Sequence, residues 1–152
     1  MVGPTGAGRR LDWATEREAV RIVIEEEESR GRRVERLSKA REKAEGCDFL
    51  SHPPDPGMPD RVEVKGWSAP FERVTREGGT VFSYPSEVNN EQLTRARSDP
   101  TWRLEIVANL AAVRAGVGSA ERLTVTANEV AQRAIAWKFR IPLDGLESRI
   151  KR

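Results

Sequence analysis

The chain has 152 residues, 38% of them hydrophobic and 33% charged, which suits one compact domain with enough Val, Ile, Leu and Trp to bury a core. Its 26 basic residues nearly cancel 24 acidic ones, leaving +2, so neither charge-driven disorder nor a strongly basic nucleic-acid binder is indicated. One cysteine (Cys47) and one histidine (His52) exclude a disulfide framework and a His/Cys metal site; any metal must be a hard ion held by carboxylates.

Residues 1–11 read as a flexible leader. A helix is expected over 13–30, because Val20, Val23 and Ile24 recur at i, i+3 and i+4, with Trp13 in line two turns earlier. Gly31 is its stop. RVERLS (33–38) alternates as a half-buried strand does, residues 39–46 form a charged connector, and CDFLS (47–51) is a short strand. HPPDPGMPD (52–60) holds four prolines and must turn. RVEVKGWS (61–68) is a strand with Val62 and Val64 on one face and Glu63 and Lys65 on the other. A polar stretch over 69–79 leads to a strand at 80–84 and a helix at 89–98, with Leu93 and Ala96 on one side. WRLEIVANL (102–110) reads as a central strand. A linker or short helix follows, and then strand, helix and strand over 123–143. This order predicts a mixed α/β layer structure. No segment has the length and apolarity of a membrane span or a secretory signal, so a cytoplasmic protein is expected.

Chemistry concentrates at Asp48, Glu63 and Lys65. Glu63 and Lys65 leave the same strand face, and pairing of 47–51 with 61–68 as a hairpin brings Asp48 near Glu63. Two carboxylates on adjacent strands can grip one divalent cation, while a lysine beside them holds a water or a phosphate oxygen. That set suits phosphodiester hydrolysis, where a metal polarises the phosphate and a cation offsets growing negative charge. Glu18 and Glu25, seven apart on one helix face, are candidates for a further carboxylate. About 0.8 acid-x-Lys triplets are expected by chance at this composition, so the triplet alone decides nothing. An exposed Glu–Lys pair worth under about 1 kcal/mol is the plain alternative.

The ordered set is more specific. RVERLS, the connector and GCDFLS, then HPPDPGMPDRVEVKG, then FSYPSEVNNEQLTRARSDPTWRLEIV resemble, in order and spacing, the domain family named after the C-terminal part of the plant protein NO VEIN, within the PD-(D/E)XK nuclease superfamily. The resemblance spans about residues 16–110. It implies a restriction-endonuclease-like mixed sheet flanked by helices, with a nuclease-like core over 12–110 and an extension over 111–152 packed on the same domain. It further implies Asp48, Glu63 and the Val64 carbonyl as ligands of Mg²⁺ or Mn²⁺, Lys65 as the catalytic lysine, and Glu18 as the helical acid, with Glu16 and Glu25 as rivals. DNA is the implied substrate, in restriction or anti-phage defence, with a helicase or other defence protein as partner. A homodimer is a further implication, because many nucleases of this fold pair to cut both strands. Cys47 stands where an aromatic is usual, and Gly66 and Trp67 where small hydroxyl residues are often found. The family's Asn-Glu element aligns on Glu87 or on Asn90-Glu91. The rival reading is a non-catalytic module that binds nucleic acid or protein and serves a helicase or other effector.

Other features read more plainly. Trp67, Trp102 and Trp137 are expected in or beside the core rather than stacked on bases. Gln92 is a solvated helix residue or a phosphate-orienting one. The Glu25–Glu28 run is mostly a solvated helix face, and Arg30, Arg32, Arg33 and Arg36 meet either that run or phosphates.

Overall fold

A computed structural model describes the backbone of residues 6–71, 73–76, 79–82, 86–134 and 140–151, and the side chains of 13–71, 86–134 and 141–151. The first helix, α1 (Gly6–Ser29), begins inside the segment expected as a leader. It ends where Gly31 takes φ +79°, which turns the chain into β1 (Arg33–Arg36). The charged connector is a helix, α2 (Lys39–Glu45). Ser38 caps it by accepting the Arg41 N–H at 3.3 Å, and Gly46, at φ +66°, closes it. That capping pattern outweighs the absence of buried residues in α2.

Strands β2 (Phe49–His52) and β3 (Asp60–Gly66) form the expected hairpin around the proline-rich turn. A short antiparallel ribbon, β4 (Arg73–Arg76) and β5 (Gly79–Phe82), fills part of the stretch expected to be irregular. After β6 (Ser86–Glu87) come α3 (Asn90–Ser98) and β7 (Trp102–Ala108). Then follow α4 (Leu110–Ala115), β8 (Glu121–Thr126), α5 (Ala127–Arg133), β9 (Arg140–Ile141) and a 3₁₀ turn at Glu147–Arg149.

The main sheet has five strands in the order β1-β2-β3-β7-β8. The first three are antiparallel, β7 joins β3 in parallel, and β8 runs antiparallel to β7. A parallel neighbour needs a crossover, which α3 supplies. The molecule is therefore a mixed α/β structure with helices on both faces of a mixed sheet. On one face α1 lays Ala19, Val23 and Ile24 over Phe49, Val62, Val64 and Val107. On the other, α3 and α5 bring Leu93, Ala96, Ala127 and Val130 against Leu50, Trp102, Leu104, Ile106 and Leu123. Strand alternation separates the two sets: the α3 and α5 face of β7 is apolar throughout (Trp102, Leu104, Ile106, Ala108), while its α1 face carries Arg103 and Glu105 beside Val107. Residues 121–126 add the fifth strand to the same sheet. Among the described residues no helix is long and apolar enough to cross a membrane.

Trp102 is 1% exposed, and its indole N–H donates to the Gly46 carbonyl at 2.7 Å. Trp67 packs edge-on against Phe71, ring centres 5.2 Å apart. Trp137 lies outside the described residues. Trp13 departs from the expected helix stripe: it is 61% exposed, with the Arg17 guanidinium 4.8 Å from its ring centre. The helix period explains this, because the packed row Thr15, Ala19, Val23 leaves Trp13 about 200° away from Thr15.

Candidate active site

Asp48 stands just before β2, where the ladder between β2 and β3 ends. Its N–H donates to the Val62 carbonyl at 2.9 Å. One step further along β3, the Val64 N–H finds no strand opposite, and the Asp48 carboxylate accepts it at 2.7 Å. The Val64 carbonyl leaves β3 on the same edge as that N–H, as strand geometry requires. Sheet pairing thus brings Asp48, Glu63, Val64 and Lys65 to one place.

Glu63 faces α3. It is 5% exposed, yet among the described residues only Lys65 meets it as a cation: the Lys65 ammonium lies 3.1 Å from Glu63 Oε1. The same oxygen accepts a hydrogen bond of 2.7 Å from the Gln92 amide. Gln92 reaches it because it sits in the first turn of α3 and is fixed by a reciprocal cap. The Asn89 side chain accepts the Gln92 N–H at 2.8 Å, and Gln92 Oε1 accepts the Asn89 N–H at 2.9 Å. With its oxygen held by the cap, the amide nitrogen points at Glu63. Both close contacts fall on Oε1, and Oε2 takes no hydrogen bond from a described residue.

The electrostatics follow from this geometry. Burial, reinforced by the Asp48 charge, pushes the Glu63 carboxyl up to about 8, with Lys65 pulling it back. Burial likewise raises Asp48 to about 6, against the pull of the Val64 N–H and Lys65. Burial works against the Lys65 charge, but Glu63, Glu16 and Asp48 outweigh it and hold its pKa above the ordinary lysine value. The cluster sets two carboxyls against one lysine, so without a further cation one carboxyl, Glu63, favours its protonated form near neutral pH. Burial also drives the neighbouring Cys47 thiol up to about 12, which leaves it an inert core residue.

Of the three helical acids, Glu16 is the one whose charge reaches Asp48, Glu63 and Lys65. The expected choice, Glu18, lies two residues on, about 200° around the helix. It pairs instead with Arg114 at 3.8 Å and Arg21 at 3.9 Å. Glu25 is spent on Arg21 at 2.7 Å. Gly66 sets the height of α1 over the strand. A Cβ there would lie 2.7 Å from the Thr15 carbonyl oxygen, so the absence of a side chain lets the helix close down beside Lys65. Thr15 is tied to the end of β3 through the Ser68 hydroxyl at 3.2 Å.

Gln92 is a buried member of the cluster rather than a solvated residue, and both alignments of the Asn-Glu element miss it, since Glu87 and Glu91 are exposed. The capping pattern Asn89-x-x-Gln92 is the sequence signal that finds it. His52 lies elsewhere, its Nε2 3.0 Å from Glu35 on the β1–β2 edge. Arg61 is engaged by Glu45 at 2.8 Å and Asp99 at 2.7 Å, not by the site carboxylates.

A second polar cluster lies under the C-terminal half of α1, and it corrects the reading of the acidic run. Glu27 is 2% exposed. Arg103 meets it at 2.7 Å, Arg32 at 3.0 Å, and the Ser51 hydroxyl donates to it at 2.5 Å. Glu105, also buried, takes Arg103 at 3.3 Å, Arg122 at 3.2 Å and the Thr124 hydroxyl at 2.8 Å. Arg32 and Arg103 share Asp60, and Arg122 also meets Glu26.

Asp48, Glu63 and the Val64 carbonyl form an all-oxygen donor set, the chemistry a hard divalent ion takes. Among the described residues no group of three or more His, Cys, Asp or Glu is placed to hold a metal. No protein-family model, characterised protein or solved structure matches this chain.

Proposed function

We propose that this chain is a metal-dependent nuclease with a restriction-endonuclease-like fold, hydrolysing phosphodiester bonds, with DNA as the substrate its sequence resemblance implies. The observation that carries the reading is a buried Glu63 and a half-buried Asp48, two carboxyls set against Lys65, which shares a strand with Glu63. Supporting it, the helices flank a mixed sheet, and Arg61 pairs away from the site carboxylates. Mg²⁺ or Mn²⁺, held by Asp48, Glu63 and the Val64 carbonyl, would polarise the phosphate and acidify water when bound.

The chain's own residues have separate tasks. The reaction joins a water oxygen to phosphorus and breaks one P–O ester bond. The electron pair goes to the leaving oxygen, which ends with the proton that water gives up. Lys65 offsets the negative charge that grows on the phosphate oxygens. Gln92 holds Glu63 Oε1 and leaves the other oxygen to turn outward, so it is a positioning residue. Glu16 takes the place of the helical acid beside Lys65. Restriction or phage defence, with a helicase as partner and a homodimer as the cutting unit, rests on the resemblance.

A non-catalytic binding module is the second reading, favoured by the near-neutral charge and by the lack, among the described residues, of a third metal-ligating side chain at the site. Cleavage of plasmid and single-stranded DNA with Mg²⁺, Mn²⁺ or EDTA separates the two. Metal-dependent cutting by the wild type that drops at least about a hundredfold in Lys65→Ala, with an unchanged circular dichroism spectrum, supports the nuclease. The same metal-insensitive background in both proteins supports the module.

A further inference from the structure

A groove of about 720 Å³ runs between α1 and the β1–α2 connection, from Trp13 at its outer end to Asp48 and Phe49 at its inner end. Three features of it are unusual together. Trp13 presents most of its indole to solvent, where a tryptophan without a partner is costly, and it is stiffened by the Arg17 guanidinium over its ring. Arg17 and Arg36 both line the groove and have no carboxylate partner among the described residues. Of the groove's other charges, Lys39 meets Glu42 at 3.1 Å and Glu18 meets Arg21 at 3.9 Å, while Glu16 and Asp48 have no ion-pair partner among the described residues and stand on the α1 wall and at the inner end. Two unmatched guanidiniums beside an open aromatic plane, leading to a cluster read here as a phosphodiester-cleaving centre, call for a ligand with flat rings and spaced negative charges.

We propose that this groove binds a short unpaired stretch of nucleic acid, one base stacking on Trp13 and Arg17 while adjacent phosphates meet Arg36, so that the strand is led to Asp48. The inference rests on the nuclease reading for its direction and deepens it by assigning the substrate class: single-stranded ends or flaps rather than intact duplex. The volume is that of a small-ligand cleft, on the scale of a few nucleotides of one strand rather than a duplex segment. Stacking accounts for tolerance of sequence, because every base offers a π-face. The carboxylates of Glu16 and Glu18 along the α1 wall repel phosphates and keep the backbone on the Arg36 side.

Fluorescence anisotropy in EDTA, with labelled twelve-residue oligo(dT), oligo(rU) and a duplex of equal length, tests the idea without cleavage. The wild type is expected to bind the single strands more tightly than the duplex. Trp13→Ala should weaken single-strand binding about tenfold, and Trp13→Phe should restore most of it. Arg36→Ala should weaken binding and lower the salt slope by about one. The oligo(dT) and oligo(rU) arms tell DNA from RNA. Both substituted side chains are solvent-facing, and an unchanged melting temperature confirms that the variants fold. Equal affinity of wild type and Trp13→Ala, a preference for duplex, or no binding at all overturns the proposal. Lys65→Ala in the same assay keeps the two ideas apart. If wild-type cleavage depends on Lys65 but Trp13→Ala binds and cuts single strands normally, the groove assignment fails and the nuclease stands. If Trp13-dependent binding appears without any cleavage, the reverse holds.

Discussion

Two buried clusters of acids and bases flank the same sheet, and they are built differently. Under the C-terminal half of α1, Glu27 and Glu105 meet three arginines and two hydroxyls. At the end of β3, Asp48 and Glu63 meet one lysine, one amide and one backbone N–H. The first cluster balances its charges internally and acts as a clamp that ties α1 to β2, β3, β7 and β8. The second sets two carboxyls against one lysine, and burial and their mutual repulsion push both carboxyls up, a condition often found where a cation or a reacting group binds. Burial alone does not mark a site; burial without compensation does.

The largest effect that would break this contrast lies in the clamp. Glu27→Ala takes the buried carboxylate from Arg32 and Arg103, leaving them Asp60 and Glu105, and should cost about 3 kcal/mol in urea unfolding. A loss below about 1 kcal/mol would show that water, not Glu27, satisfies those arginines. Glu63→Gln should go the other way at high pH. The Glu63 carboxyl titrates at about 8 in the folded protein, against a reference value of 4.5. A raised acid gives stability that is fully present below the unfolded pKa and is lost as pH rises through the folded one. Wild-type stability should therefore fall between about pH 5 and 8, and Glu63→Gln should flatten the fall. That variant gains ~1–3 kcal/mol at pH 9, less than the full shift implies because Lys65 loses its partner. Denaturant melts at pH 5, 7 and 9 would read this, and an unchanged slope would remove Glu63 from the argument.

A finer test asks whether the two site carboxylates feel each other. Asp48→Asn keeps an acceptor for the Val64 N–H and removes one charge, so the Glu63 midpoint should drop by about one pKa unit. Carbon-13 NMR of the carboxyl groups measures it; no movement would place the two too far apart to share a cation. The smallest effect is expected on the surface. Lys39 is 89% exposed in its pair with Glu42, and Lys39→Ala should leave the unfolding midpoint where it is.

Much of the sheet was legible because strand alternation is a local signal. Val62 and Val64 against Glu63 and Lys65, the proline-rich turn and the β7 run all point to their observed places. What escaped depends on rotation about a helix axis or on distant partners. Glu16 and Glu18 are equal in sequence, and only the rotation of α1, set by Thr15 and Ala19 closing on Gly66, decides which charge reaches Lys65. Trp13 joins the apolar periodicity on paper and leaves it in space, because Thr15 and Ala19 define the packed row. Glu27 reads as one acid in a run of four, and its burial is created by Arg103, a residue far along the chain. Gln92 was legible as a helix cap, but not as the donor to Glu63, since that contact requires α3 to cross over the sheet.

The parallel pairing of β3 with β7 also has a temporal consequence. The hairpin carrying Asp48, Glu63 and Lys65 is local and can form early, whereas β3 gains its second neighbour only after α3 and β7 have been added to the chain. Contacts of such long sequence separation form slowly, because loop closure must precede them. During synthesis α1 is made first but can dock onto Gly66 only once the sheet beneath it exists. The candidate site is thus completed late, and a nascent chain would carry Asp48, Glu63 and Lys65 before α3 and β7 bring their neighbours into place. On the nuclease reading proposed above, cutting would begin only once the fold has closed.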